Sequence, residues 1–215
     1  MKNCGFNTTM YNPFSSLIYS KPNSLSKELC RDIINMFELA ENKHPGEHGG
    51  GNLNPNVKDT TDYNITDAGP EWKEINIVLK KELGYHLTKY IKGFLETINN
   101  PNYSISNTNN TMVVYSMQVQ KYNKGVGKYI MHNDYHCNWK IQKMRQITFI
   151  WYLNDVDEGG ETEFWSEYYI KPTTGKLLLF PAHWTFPHAG KMPISSDKYI
   201  VTGWFYSDYI TTDHM

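Results

Sequence analysis

Three residues in the C-terminal half of the chain have the types and spacing needed to bind a metal ion. His132 and Asp134 are two positions apart, so in an extended strand their side chains project to the same face. His188 follows later in the chain and supplies a second imidazole. Two histidines and a carboxylate on one side of an octahedron suit Fe(II) and leave the opposite positions open to reactants.

The same stretch offers a competing ligand. His136 follows Asp134 by two positions, so Asp134 and His136 form the same kind of pair in reverse order. An H-x-D triplet is weak evidence by itself, because a chain with 8 His and 22 Asp plus Glu should contain on the order of one by accident. The residues alone therefore leave both His132 and His136 as candidates.

The elements that must position these residues change character near residue 111. Beyond it, short runs rich in β-branched and aromatic residues predict strands at 112–122, 129–134, 146–153, 162–165, 176–180 and 198–206. Successive short strands predict a double-stranded β-helix, or jelly roll. In the last run, alternation places Lys198 on one face with an apolar and aromatic series, namely Ile200, Thr202, Trp204 and Tyr206.

The N-terminal half predicts two helices separated by a loop. Apolar residues at helical spacing predict a helix that starts within 24–28 and a second over 71–97, with a break near Gly84 or Gly93. The segment 42–70 is rich in Gly, Asn, Asp and Pro, which predicts a long loop with little helix or strand. Such a loop is either a lid over a site or a disordered linker.

These elements predict an α+β, mainly β, fold: a jelly-roll core with N-terminal helices packed on the major sheet. The chain of 215 residues is long enough for one substantial core, so we expect a single domain over 1–215. Residues 1–110 would form the helical support and loop region, and 111–210 the jelly-roll core that holds the metal site.

Composition excludes several classes of partner and location. A net charge of −1 gives no overall basic field for nucleic acid or an anionic membrane. Three cysteines, Cys4, Cys30 and Cys137, are too few for a disulfide framework. The N-terminus lacks the apolar core of a signal peptide, and no run approaches the ~20 apolar residues of a transmembrane helix. The sequence therefore predicts a cytoplasmic protein without nucleic-acid or membrane partners and leaves its oligomeric state open.

The segments around the metal-binding residues resemble the Fe(II)/2-oxoglutarate-dependent dioxygenases, and among them the prolyl 4-hydroxylase-like group. The likeness runs from about residue 113 to 206. It rests on seven segments in series: Gln120-Lys121-Tyr122, His132-Asn133-Asp134, 145–148, 152–155 with 158–162, 175–181, His188-Ala189-Gly190 and 198–204. The resemblance implies His132, Asp134 and His188 as the iron ligands and catalytic residues.

The resemblance also implies the reaction and its cofactors. Enzymes of this group use Fe(II), 2-oxoglutarate and O2, with ascorbate as a further cofactor, to hydroxylate a C–H bond while forming succinate and CO2. Lys198 matches the lysine that pairs with the distal carboxylate of 2-oxoglutarate, and Tyr122 and Thr162 match hydroxyls that hold the same carboxylate. Charge agrees with this role, because Fe(II), Asp134 and 2-oxoglutarate together leave one negative charge for a cation to neutralise.

For the substrate, the resemblance implies a peptidyl proline in a peptide or proline-rich protein, with procollagen-proline-type 4-hydroxylation as the expected activity. Arg145 and Trp204 match residues that face the peptide, whereas Tyr206 stands where these enzymes often have histidine. Arg145 could equally pair with Asp155 or Glu161 on the surface. The segments 42–70 and 137–144, the latter with Trp139 and Lys140, match the places of mobile substrate-covering loops.

Other classes of function explain fewer of these residues. A nucleic-acid demethylase of the same chemistry would ordinarily show a basic surface and an arginine in place of Lys198. A zinc hydrolase would leave Lys198 and the Gly159-Gly160-Glu161-Thr162 segment unexplained. A hydroxylase of a free amino acid or other small metabolite, or a non-enzymatic jelly-roll binding protein, is an alternative that the sequence leaves open.

Overall fold

The computed structural model describes residues 13–101, 112–138 and 142–208. In chain order the elements are a 3-10 helix (Pro13–Leu17), β1 (Tyr19–Lys21), α1 (Lys27–Leu39), β2 (His44–Pro45), β3 (Lys58–Asp59), β4 (Thr61–Asn64), a 3-10 turn (Pro70–Trp72), α2 (Lys73–Ile98), β5 (Val113–Tyr122), β6 (Lys128–His132), β7 (Cys137–Asn138), β8 (Lys143–Tyr152), β9 (Thr162–Phe164), β10 (Tyr168–Ile170), β11 (Leu177–Pro181), β12 (His188–Gly190) and β13 (Lys198–Asp208).

The strands form two antiparallel sheets. The major sheet has the order β1-β11-β8-β13-β5-β4-β2, with β7 beside β8, and the minor sheet has the order β10-β9-β12-β6-β3. Apolar side chains of both sheets, such as Ile150 and Phe180 from the major sheet and Phe164 from the minor one, meet in one buried cluster. The mainly β fold with a jelly-roll core is therefore confirmed.

Each central strand of the major sheet has one face on the helices and one face inside the jelly roll. Val119, Phe149 and Val201 share a buried cluster with residues of α1 and α2, so the helices do pack on the major sheet. Their immediate neighbours along the strands, Gln120 and Thr148, line an internal cavity instead. Strand alternation thus separates the structural core from the polar interior.

Helix α1 begins close to the predicted start. The Ser26 side chain accepts a hydrogen bond from the backbone N–H of Leu29 at 3.1 Å, which satisfies one of the donors that a helix leaves free at its first turn. Cys30, Ile33 and Phe37 are buried on one face of the helix. This apolar stripe fixes the helix against the sheet.

The predicted break in the second helix is wrong. Helix α2 runs unbroken through Gly84 and Gly93 and ends before Asn99, which adopts a left-handed conformation. Each glycine costs about 1 kcal/mol relative to alanine in a helix interior. The burial of residues such as Leu79 and Leu83 against the major sheet outweighs that local preference.

The prediction that 42–70 has little secondary structure is also wrong, because β2, β3 and β4 lie within it. Strand β4 pairs with β5 in the major sheet, and β3 pairs with β6 in the minor sheet. Strands of two to four residues are stabilised by partners distant in sequence, so local composition does not reveal them. The segment therefore joins both sheets beside the predicted metal site.

The expectations about disulfides and membrane-spanning helices can be compared with the described residues only. Cys30 and Cys137 are free thiols, whereas Cys4 lies outside the described residues. Within the described ranges, neither helix has the length and apolar character needed to cross a membrane.

Candidate active site

The three predicted ligands come together at the junction of β6 and β12. His132 ends β6, His188 begins β12, and the antiparallel register places these two residues directly opposite each other. Asp134 follows two residues after His132. One ligand atom from each residue lies within 4.8 Å of the others, so a single ion could contact all three.

Backbone hydrogen bonds fix the orientation of both imidazoles. Nδ1 of His132 lies 2.8 Å from the carbonyl oxygen of Ile130, and Nδ1 of His188 lies 3.0 Å from that of Phe186. A carbonyl only accepts, so each Nδ1 must carry the hydrogen and donate it. With Nδ1 bonded in this way, Nε2 is the ring nitrogen of each histidine that is left to bind a metal.

The carboxylate is also oriented before any ligand binds. The Thr148 hydroxyl donates to Oδ2 of Asp134 at 2.7 Å. Burial would raise the pKa of Asp134, but His188, His132 and Arg145, together with the bond from Thr148, lower it overall. Burial and the neighbouring His188 lower the pKa of His132. At neutral pH the site thus combines a neutral His132 with an ionised Asp134, a donor set that fits Fe(II).

His136, the competing candidate, lies outside this group. Its ring is exposed and lines a separate groove next to the site. His132 is selected because its strand pairs with the strand that carries His188.

The three predicted metal ligands share a cavity with the residues predicted to bind the co-substrate. This inner cavity has about 50 Å³ of space open to water. Its lining comes from both sheets: Gln120, Tyr122, Tyr129, His132, Asp134, Thr148, Ile150, Thr162, His188, Gly190, Lys198, Ile200, Thr202 and Trp204. The predicted inward face of β13, from Lys198 to Trp204, accordingly faces the site.

Lys198 is a buried lysine in the lining of the inner cavity. Its side chain is nearly inaccessible to solvent, its Nζ donates to the carbonyl of Gly160 at 3.0 Å, and it lies 3.9 Å from the centre of the Tyr122 ring. Gly160 has a φ of 75°, a conformation that favours glycine. Burial lowers the pKa of Lys198 to about 7, opposed by Glu161. An incoming carboxylate would restore its charge.

The two predicted hydroxyls also line this cavity, each with a protein partner. The Tyr122 hydroxyl donates to Oε1 of Gln120 at 3.2 Å. The hydroxyls of Thr162 and Tyr152 lie 2.6 Å apart, so that one of their two hydrogens forms this bond and the other is available to a ligand. The Tyr122 hydroxyl therefore has no hydrogen left to donate to a ligand, whereas the pair of Thr162 and Tyr152 has one.

The three predicted substrate residues form a stacked group at the mouth of the inner cavity. The Arg145 guanidinium lies 3.4 Å from the centre of the Trp204 ring, and its Nε donates to the Tyr206 hydroxyl at 3.3 Å. These contacts take the place of the pairing with Asp155 or Glu161 that the sequence left open. Tyr206 thus helps to hold Arg145.

Arg145 and Trp204 border a wider outer groove with about 350 Å³ of space. Its lining is drawn from the segment from β2 to β4, from β5, β6 and the loop after β6, and from β8 and β13: His44, Glu47, His48, Gly49, Gly50, Gly51, Lys58, Asp62, Gln118, Gln120, Tyr129, Asn133, Asp134, Tyr135, His136, Arg145 and Trp204. Of the two segments predicted to cover the substrate, 42–70 contributes to this groove. Trp139 and Lys140, in the other, lie outside the described residues.

Sequence reasoning missed several residues of the site. Tyr129 stacks on the His132 ring at 3.5 Å between ring centres. Alternation alone would place residues three apart on opposite faces of a strand, so this contact depends on the irregular pairing of β6 with β12 between the two positions. Gln120 could have been found from its alternation with Tyr122. The buried pair of Lys58 and Asp62, 2.7 Å apart, gave no signal because it lies in the segment predicted to be a loop.

Comparison with known proteins agrees with this geometry. Residues 117–206 match the 2OG-Fe(II) oxygenase superfamily, and this range contains all nine predicted site residues. No curated protein sequence matches the chain.

The solved structures that share the fold include three prolyl hydroxylases. A viral collagen prolyl hydroxylase from Paramecium bursaria Chlorella virus 1, in complex with 2OG, has 20% identity and a TM-score of 0.64 over 89% of this chain and 96% of that one. A Pseudomonas putida prolyl-4-hydroxylase has 16% identity and a TM-score of 0.62, covering 87% and 91%. A Trichoplax adhaerens prolyl hydroxylase bound to a hypoxia inducible factor peptide fragment has 19% identity and a TM-score of 0.63, covering 90% and 84%.

Residues 117–206 thus match the 2OG-Fe(II) oxygenase superfamily, and the chain shares its fold with these three prolyl hydroxylases.

Proposed function

We propose that this protein is an Fe(II)- and 2-oxoglutarate-dependent dioxygenase that hydroxylates a proline within a peptide. The observation that carries the proposal is a single cavity with a His132-Asp134-His188 group, a buried lysine and an opening toward a wider groove. A metal site alone would be compatible with hydrolysis, but Lys198 is buried without an ion pair among the described residues, and Glu161 offsets only part of the effect of burial on its pKa. A dicarboxylate that reaches from the metal to Lys198 accounts for both features.

The chemistry that Fe(II), 2-oxoglutarate and O2 supply together is oxidative decarboxylation to succinate and CO2, coupled to insertion of oxygen into a C–H bond. The protein's part is to bind and orient the reactants. His132, Asp134 and His188 would hold the metal on one side and leave the opposite side open. Lys198 and Thr162 would hold the distal carboxylate.

Other residues would control water and substrate. Ile150 and Ile200 form the apolar part of the inner cavity lining, which limits the water that can reach the reacting atoms. Arg145, Trp204 and Tyr206 would position the peptide at the boundary between cavity and groove. The Trichoplax relative, with this fold, binds a peptide, which supports a peptide substrate here.

The metal and co-substrate assignment can be tested by absorption spectroscopy without turnover. Under anaerobic conditions, Fe(II) and 2-oxoglutarate should produce a visible metal-to-ligand charge-transfer band in the wild-type protein. His188→Ala should abolish the band, whereas His136→Ala should retain it because His136 lies outside the ligand group. Absence of the band in folded wild-type protein would overturn the proposal.

The substrate class needs a separate measurement. The wild-type protein should add one oxygen atom to proline in proline-rich peptides, as detected by mass spectrometry with fragment sequencing. If oxygen appears only in free amino acids or other small metabolites, the enzyme is an oxygenase but the peptidyl-proline assignment is wrong.

A further inference from the structure

A chain of hydrogen bonds connects the segment between β2 and β4 to the inner cavity. The register of β4 on β5 places Asp62 directly opposite Gln120, and that of β13 on β5 places Lys198 directly opposite Tyr122. Gln120 and Tyr122 are two positions apart, so both face the interior. Gln120 lines the inner cavity and the outer groove alike, which puts it at the boundary between them.

Asp62 is a buried acceptor with three donors. Its Oδ2 accepts from Nζ of Lys58 at 2.7 Å and from Nε2 of Gln120 at 3.2 Å, and its Oδ1 accepts from the Thr60 hydroxyl at 2.7 Å. Asp62 and Lys58 are 1% and 5% exposed. Because a carboxylate offers only acceptors, Asp62 can tolerate only the N–H end of the Gln120 amide.

This contact determines the direction of the Gln120 side chain. With Nε2 held by Asp62, Oε1 must point the other way, toward Tyr122. Turning the amide over would place its oxygen against the carboxylate oxygen, with both groups buried. Oε1 therefore accepts the single hydrogen of the Tyr122 hydroxyl, and the Tyr122 oxygen presents only lone pairs to the rest of the cavity.

We propose that Asp62, acting through Gln120, keeps the hydroxyl hydrogen of Tyr122 away from the co-substrate carboxylate and so lowers the affinity for 2-oxoglutarate. The inference rests on the proposed function, because it concerns the same co-substrate. A carboxylate needs donors, and Lys198 and the Thr162–Tyr152 pair supply them. If Tyr122 donated its hydrogen to the co-substrate, Oε1 of Gln120 would lose the donor that it now accepts from. A buried acceptor without a partner is unfavourable.

Gln120 thus competes with the co-substrate for one hydrogen atom. Gly190 makes this arrangement possible, because a Cβ at that position would lie 3.1 Å from the Tyr122 hydroxyl oxygen. Asp62 and Gln120 act as positioning residues: they set which atoms Tyr122 can offer. These hydrogen bonds connect the two cavities, since Asp62 and Gln120 form part of the outer groove wall and Tyr122 lines the inner cavity.

The test is a double-mutant cycle on binding of 2-oxoglutarate to the Mn(II)-loaded protein, measured by isothermal titration calorimetry without turnover. Gln120→Met keeps the side-chain length and removes the acceptor, so Tyr122 becomes free to donate. We expect it to lower the Kd for 2-oxoglutarate by about fivefold, the value of one buried hydrogen bond. Tyr122→Phe should change the Kd by less than about twofold in the wild-type background, but should remove the whole gain in Gln120→Met.

A second variant changes Asp62, the residue that fixes the orientation of the Gln120 amide. Asp62→Asn provides an N–H group that can bond Oε1 of Gln120, which allows the amide to turn over. Asp62→Asn should therefore also tighten the binding of 2-oxoglutarate. If this variant does not fold, the double-mutant cycle of Gln120→Met and Tyr122→Phe tests the inference by itself. Gln146→Met is the matched control, because Gln146 bonds Ser207 at 2.9 Å and lines neither cavity; its Kd should equal that of the wild type.

Two results would overturn the inference while the proposed function stands. One is an equal loss of affinity on Tyr122→Phe in both backgrounds, which would mean that Tyr122 already donates to the co-substrate. The other is weaker binding in Gln120→Met. If the wild-type protein binds no 2-oxoglutarate at all, the proposed function and this inference both fail.

Discussion

The inner cavity and the outer groove share a wall but differ in size and in hydrogen bonding. The inner cavity has about 50 Å³ of open space and the groove about 350 Å³. Among the described residues, three buried side-chain polar atoms have no hydrogen-bond partner, and two of them, Nε2 of His48 and Nε1 of Trp204, belong to residues that line the groove. Trp204 also borders the inner cavity, so its N–H lies at the boundary between the two. The predicted metal ligands and Lys198 already have protein hydrogen-bond partners, whereas the groove has polar atoms that a substrate could satisfy.

This difference separates the residues that the reaction needs with any substrate from the residues that select the substrate. The orientations of both histidines, Asp134 and Lys198 are set by the protein's own bonds. The groove, in contrast, is bordered by Gly49, Gly50 and Gly51, all with positive φ. We expect changes in the inner cavity to abolish activity on any substrate, and changes in the groove to alter the choice of substrate.

The largest effect is expected from removing the carboxylate ligand. Asp134→Ala leaves two imidazoles without the charge that stabilises a divalent cation, so turnover should fall on the order of a thousandfold or more with every substrate tried. The loss of turnover is measured as the rate of 2-oxoglutarate consumption, and the loss of metal binding as the metal content after dialysis. Retained iron and co-substrate turnover in this variant would show that the three-residue group is not the metal site.

Loss of the buried cation should come next. Lys198→Met preserves the length of the side chain but leaves the distal carboxylate without its partner, so the Kd for 2-oxoglutarate should rise by about a hundredfold or more. The variant should unfold at a higher temperature than the wild type when empty, because burial disfavours the ammonium. A raised peptide KM with unchanged 2-oxoglutarate affinity would instead place Lys198 in the groove.

The affinity for 2-oxoglutarate should also depend on pH. In the empty protein burial lowers the pKa of Lys198 to about 7, whereas the bound carboxylate favours the charged form and raises that pKa. Binding therefore takes up a proton above pH 7, and affinity should fall by about tenfold per pH unit there. Calorimetry in buffers of different ionisation enthalpy counts the proton, and Lys198→Met should lose this uptake.

The smallest effect is expected in the groove. Trp204→Phe keeps an aromatic ring against Arg145 but removes the unpartnered N–H. If the peptide accepts a hydrogen bond from Nε1, its KM should rise by about fivefold. The Kd for 2-oxoglutarate should change by less than about twofold. An effect on 2-oxoglutarate alone would remove the distinction between the two cavities.

Part of the inner cavity could be predicted from the sequence, because strand alternation acts over short distances. His132 and Asp134 share a strand face, and Lys198 lies on the inward face of β13 as predicted. The choice of His132 over His136 depended on the pairing of β6 with β12, which spacing alone does not reveal. For the groove, β3 and β4 depend on partners far along the chain, and the Asp62 and Gln120 contact depends on their register.

The position of His132 opposite His188 has a further consequence for folding. These residues begin and end a long intervening stretch of chain, and the short strands β6 and β12 pair where its two ends meet. An ion bound to both would cross-link the minor sheet much as a disulfide does. Since such an ion binds the native state and not the unfolded chain, its presence at a hundred times the Kd would add about 2.7 kcal/mol to the free energy of unfolding.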